Sequence, residues 1–142
     1  MFPRAAAFSG RGFFPTMKTL LLSALFAASV LPVHAAESPA GSSTQVLTGG
    51  ALYKAHCAVC HGVNGRDAVA FPRPIWGQGQ DIKKFKTARG LFEYLQMLMP
   101  FDDPYKISDS DKTSITAFLL VMNGDLPPNV SLPAGGDASP IK

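Results

Sequence analysis

Three stretches of this chain carry apolar residues at helical spacing, and none shows the strict alternation of a half-buried strand. Leu52 and Tyr53 mark a first helix that should begin near Thr48 and end around His61-Gly62. Thr87 is a good N-cap for a second. In it Leu91, Phe92, Leu95 and Leu98 recur at three- and four-residue intervals until Pro100, which has no N–H for the helix ladder, stops it. The third is best signed: Ser108 and Asp111 form a capping box, Ile115, Phe118, Leu119 and Met122 make an apolar face, and Asn123-Gly124 closes it. Between the first two helices, residues 62–86 hold several glycines and prolines and no regular period. A loop of that length is uncommon in a small domain unless it wraps around something. The pattern predicts an all-α fold of about three main helices and long loops.

The two ends read differently. From Met17, Lys18 supplies a positive start, Thr19 to Leu31 an apolar stretch, and Pro32-Val33-His34-Ala35-Ala36 a small-residue exit, so 17–35 is expected to be a secretory signal peptide cleaved after Ala35 or Ala36. The apolar run is shorter than the ~20 residues that span a bilayer, and it ends at Pro32 and His34. An uncleaved anchor is the alternative; after cleavage no stable membrane insertion is expected. Residues 1–16 either lengthen the charged part of the signal or precede a true start at Met17. Segments 36–48 and 127–142 are rich in Ser, Pro, Ala and Gly and are expected to be a flexible linker and a flexible tail around a folded domain at 49–126.

A signal peptide changes the meaning of the charge. The 142 residues are 46% hydrophobic and 16% charged, an ordinary globular balance, with thirteen basic and ten acidic side chains. Arg4, Arg11 and Lys18 all leave with the signal and no acid does, so the basic residues fall to ten, equal to the ten acidic ones. A neutral mature chain has no electrostatic case for nucleic acid. The basic excess is an export signature, and the expected location is the periplasm. One local positive cluster remains, Lys83, Lys84, Lys86 and Arg89, which is either a solvated loop or a patch steering an acidic partner.

Cys57-Ala58-Val59-Cys60-His61 carries the chemistry. Two thiols three residues apart can each add across a vinyl group of one porphyrin, while the adjacent imidazole ligates its iron, so the motif reads as covalent attachment of a c-type haem. A thioredoxin-like pair would need a βαβ setting, and zinc would need further ligands, whereas His56 is the only other histidine after the signal. A structural disulfide between Cys57 and Cys60 is the plainest alternative. Haem also accounts for size, because a folded region under ~80 residues has a marginal core of its own. A bound macrocycle would complete that core and give residues 62–86 something to wrap.

On these residues the chain resembles the class I cytochromes c over essentially all of 49–126. Gly49 and Tyr53 are similar to the family's small residue and aromatic on the first helix, with Ile115 and Phe118 at the positions of the last helix that meet them. The resemblance implies one covalent haem c, His61 as the first axial ligand to iron, and Met99, followed by Pro100, as the second. Met97 and Met122 are competitors better suited to packing, and iron without a methionine ligand would imply a haem sensor. The resemblance also implies that a proline carbonyl orients His61; Pro74 is expected, with Pro72 the alternative, because Pro74-Ile75-Trp76-Gly77 is similar to a stretch of some periplasmic dehydrogenase cytochromes. Trp76 would donate its indole N–H to a haem propionate or pack on the ring edge. The segment from Met99 to Pro104, running into the capped helix, is similar to cytochrome domains of periplasmic sulfite- or thiosulfate-oxidising and quinoprotein dehydrogenase systems. The implied role is one-electron relay without catalysis, as a free carrier or as a subunit of a dehydrogenase complex. A periplasmic dehydrogenase would be the donor and a terminal oxidase or another cytochrome the acceptor.

Overall fold

In the computed structural model of the chain, which describes residues 42–66 and 68–142, four α-helices follow one another: α1 (Thr44–His56), α2 (Ala58–His61), α3 (Ala88–Leu98) and α4 (Asp109–Asn123). Short 3₁₀ turns lie at Ile82–Phe85 and Pro104–Lys106. Among the described residues the one β feature is an isolated bridge between Thr87 and Pro140, and no helix is long and apolar enough to cross a membrane. The fold is the expected small all-α one. The expected extension 1–16, signal peptide 17–35 and the linker residues 36–41 lie outside the described residues.

The first helix starts earlier than expected and is broken. Ser43 caps it, its hydroxyl accepting the Val46 N–H at 3.3 Å, so residues 44–48 are helical and not linker. The polar composition that suggested looseness supplies the cap. At the other end Cys57 leaves the helical line at φ −112°, and the motif continues as the single turn α2.

Gly49 explains how α1 meets α4. A Cβ built there would lie 1.9 Å from the Ser114 carbonyl oxygen and 2.9 Å from the Phe118 Cβ, so the two helices cross backbone to backbone. Ser114 and Phe118 are the residues met; Ile115 belongs to the lining of a cavity described below. Next to the crossing, Tyr53, Trp76 and Phe118 form a wedge of buried rings with centroids 5.2–5.9 Å apart, two of the three pairs edge-on. Such edge-to-face pairs add to the stabilisation from burial alone. Gly65, at φ +67°, lies against the Trp76 ring with no room for a side chain.

Helices α3 and α4 match their sequence signals closely. Thr87 accepts the Gly90 N–H at 3.1 Å and α3 runs to Leu98, with Met99 as its C-cap. Ser108 accepts the Asp111 N–H at 3.2 Å, and Gly124 closes α4 in the left-handed conformation at φ +85°.

The tail is a correction to the sequence reading: 127–142 is fastened along its length. The Gln45 amide grips Leu132 from both sides, donating to its carbonyl at 3.0 Å and accepting its N–H at 2.8 Å. Ser43 N–H reaches the Pro128 carbonyl, and Leu132 and Ile141 are buried. The physical reason lies at α3, whose first turn needs acceptors for its free N–H groups. The carbonyls of Ser139 and Asp137 accept the N–H groups of Ala88 and Arg89 at 3.0 and 2.9 Å. Gly136, at φ +71°, lets the tail approach that turn so closely that a Cβ would sit 2.9 Å from Ala88.

Candidate functional site

A cavity of about 660 Å³ opens between the α1–α2 junction, the loop before α3, α3 itself and one face of α4. Ile75, Ile82, Leu91, Leu95, Ile115 and Leu119 give it apolar walls. Four of the six residues expected to bind the cofactor lie on its lining: Cys57, Cys60, His61 and Met99. Pro74 and Trp76 do not.

The motif's geometry follows from the single turn α2. The N–H groups of Cys60 and His61 both bond back to the Cys57 carbonyl, at 3.1 and 3.0 Å, which brings residues three and four apart onto one side. Val59, between them, points to solvent. The cysteines are free, Cys57 half-buried and Cys60 exposed, so the disulfide alternative is not adopted. Burial pushes the Cys57 thiol up to about 11, with the neighbouring Cys60 adding to the effect and Lys106 opposing it. It stays protonated near neutral pH, as a group adding S–H across a double bond must start. Burial also lowers the His61 pKa, against the opposing pull of Asp81, and a neutral imidazole is the form that binds metal.

The expected orienting partner of His61 is not where the resemblance put it. The Pro74 carbonyl accepts the Asp81 N–H at 2.8 Å, in a turn closed on itself by Gly77 and Gly79, both at positive φ. The buried Nδ1 of His61 has no hydrogen-bond partner among the described residues. The ring is held by Phe71, edge-on at 4.8 Å. Trp76 is likewise a packing residue: it is buried in the wedge with Tyr53 and Phe118, and its carbonyl accepts a hydrogen bond from Arg66 at 3.1 Å. Tyr53 reaches from the wedge to the cavity wall, its hydroxyl donating to the Gly62 carbonyl at 2.8 Å just past the motif.

The methionines separate cleanly. Met97 is exposed on α3, Met122 packs half-buried against the core, and Met99 lines the cavity at the exit of α3. The basic cluster is partly absorbed by the fold: Lys84 pairs with Asp81 at 2.5 Å and lies over the Phe85 and Tyr94 rings, and Arg89 donates to the Gly136 carbonyl. Phe71, Asp81 and the tilted Phe85–Tyr94 ring pair are lining residues that sequence reasoning missed. Only Phe71, an aromatic beside Pro72 in a loop expected to wrap a ligand, left a usable signal.

These residues fit a haem. The walls are apolar, the thiols sit three residues apart at one margin, and a neutral imidazole with an unsatisfied buried nitrogen faces the same space as a thioether. A zinc site does not fit, since among the described residues no three His, Cys, Asp or Glu side chains converge.

Residues 44–119 match the family described as cytochrome c oxidase, cbb3-type, subunit III. The chain belongs to this family of c-type cytochromes. It is also similar to a chain in the crystal structure of the sulfane dehydrogenase SoxCD from Paracoccus pantotrophus, with 28% sequence identity and a TM-score of 0.53. The likeness covers 61% of this chain and 47% of that one, so this cytochrome matches about half the length of its relative. No curated protein matches it. As a c-type cytochrome it carries a covalently bound haem c with iron, for which Cys57 and Cys60 are present, and the matched domain is one of electron transfer.

Proposed function

We propose that this cytochrome is a periplasmic one-electron carrier with His61 and Met99 as the axial ligands of its iron, taking electrons from a periplasmic dehydrogenase and passing them to a terminal oxidase or another cytochrome. The observation that carries the reading is that His61 and Met99, but neither Met97 nor Met122, line the cavity bordered by Cys57 and Cys60. The haem supplies the one-electron couple of its iron. The chain would supply the rest: Cys57 and Cys60 would hold the macrocycle, the neutral His61 imidazole and the Met99 thioether would ligate its iron, and the thioether, a soft neutral donor, would favour the reduced metal and raise the potential. The leucine and isoleucine walls exclude water and fix the surroundings of the couple. With His61 and Met99 both bound, the iron would have no coordination position left for a substrate, which suits relay.

The likeness to a sulfane dehydrogenase structure favours a second reading, a dedicated cytochrome subunit of a dehydrogenase complex. Fractionation followed by gel filtration separates the two: a free carrier appears in the periplasm at monomer size, and a subunit travels with a larger catalytic chain. Axial ligation is tested by the weak long-wavelength sulfur-to-iron absorption of the ferric protein and by exposure of the ferrous protein to carbon monoxide. The expected result is a band present, carbon monoxide excluded, and both properties lost in Met99→Ala. A wild-type protein without the band that binds carbon monoxide at once would refute His/Met ligation and favour a haem sensor.

A further inference from the structure

A lysine is almost never fully buried without partners, yet Lys112, in the first turns of α4, is only 2% exposed. Its ammonium group donates to two backbone carbonyls, that of Gln96 at 3.0 Å and that of Pro104. Gln96 lies in the last turn of α3, where carbonyls lack intrahelical partners and a cation is favoured by the helix dipole. Pro104 opens the 3₁₀ turn that follows. The two carbonyls therefore bracket residues 97–103, the segment that carries Met99, and one side chain ties both ends of it to α4.

Apart from Met99 packing against the core and the buried Pro100, little else among the described residues fastens this segment to the body of the protein. Phe101 within it and Tyr105 just beyond it are 88% and 91% exposed. The Lys106–Asp102 ion pair at 2.7 Å and the Asp103 carboxylate accepting the Tyr105 N–H at 2.9 Å are both local to the loop. A further tie to α4, Gln96 Nε2 to the Asp109 carboxylate at 2.9 Å, lies at the surface and holds only the α3 end. Pro100 and Ile107 are buried, but neither spans the loop. An ammonium with three donors is the side chain that can hold two carbonyls at once; burial lowers its pKa, and the nearby carboxylates of Asp109 and Asp103 oppose that shift.

We propose that Lys112 is the positioning residue for Met99, cross-linking both ends of the 97–103 loop to α4 and so keeping the thioether at the cavity. The inference rests on Met99 being an axial ligand. The test uses the exported, haem-bearing protein and three variants, Lys112→Met, Lys112→Gln and Met99→Ala. In each, the sulfur-to-iron band and far-ultraviolet circular dichroism are followed on heating, and carbon monoxide association is measured on the reduced form. Lys112→Met should keep its haem and its helices at room temperature. Its sulfur band should disappear at a lower temperature relative to helix melting than in the wild type, and carbon monoxide association should rise by about tenfold, the factor expected for losing a charged hydrogen-bond anchor. Lys112→Gln, whose amide can still reach one carbonyl, should fall between, and it carries the test if Lys112→Met does not accumulate. A general loss of stability would move band and helix melting together. If Met99→Ala abolishes the band while the lysine variants retain wild-type band melting and carbon monoxide exclusion, the positioning role is wrong. If Met99→Ala changes neither signature, the ligand reading itself fails and the positioning role falls with it.

Discussion

Replacing Gly49 with alanine drives a methyl group into the main chain of α4. The new carbon would lie 1.9 Å from the Ser114 carbonyl oxygen and 2.5 Å from its carbonyl carbon, against an ordinary contact of about 3.4 Å or more, so the helices must part by roughly 1.5 Å. The obstacle is backbone, which has no rotamer to move into. Separation also opens the wedge of Tyr53, Trp76 and Phe118, whose centroids are now 5.2–5.9 Å apart. Overpacking of this kind costs about 3 kcal/mol, and the better helix propensity of alanine offsets about 1 kcal/mol of it. The expected net loss is about 2 kcal/mol, or a fall in Tm of roughly 8–16 °C for a domain of this size. Urea unfolding of the haem-bearing protein followed by circular dichroism should show a lower midpoint with an unchanged slope. A Gly49→Ala protein within about 0.5 kcal/mol of the wild type, well inside the spread of ordinary surface changes, would mean that the close crossing is not what glycine is there for.

Tyr53→Phe removes the hydrogen bond to the Gly62 carbonyl, which keeps a second donor in the Gly65 N–H at 3.1 Å. The loss should therefore stay near 1 kcal/mol, with haem content by pyridine haemochrome unchanged; a fall in haem content would show that the phenol acts on attachment as well as on stability. The tail should loosen in acid. Hydrogen bonds from Ser139, with help from Arg89, hold the Asp137 carboxyl below its ordinary value. Because the folded pKa is the lower one, its contribution is complete above the unfolded value of about 3.9 and is lost as pH falls through the folded value. Amide exchange of residues 135–141 should accelerate below about pH 4 in the wild type, and Asp137→Asn should remove that pH dependence; equal acid sensitivity in the variant would exclude this carboxylate as the cause.

What the sequence determined by itself were features written in neighbouring residues. The caps at Thr87, Ser108 and Gly124 act within a turn of the helix, and the apolar faces of α3 and α4 are periodic along the chain, so their bounds were readable to within a residue or so. Cys57, Cys60 and His61 are contiguous, and their chemistry requires that spacing. Tertiary structure decided whatever depends on residues far apart in the chain. Gln45 meets Leu132 across 87 positions, turning a Pro- and Gly-rich tail into the cap of α3. Trp76 joins Tyr53 and Phe118 instead of lining the cavity, and Lys112 reaches 16 residues back to Gln96. A side chain's local pattern records that it is apolar, charged or a hydrogen-bond donor, but the partner it finds is set by which backbones are brought within about 3 Å of it.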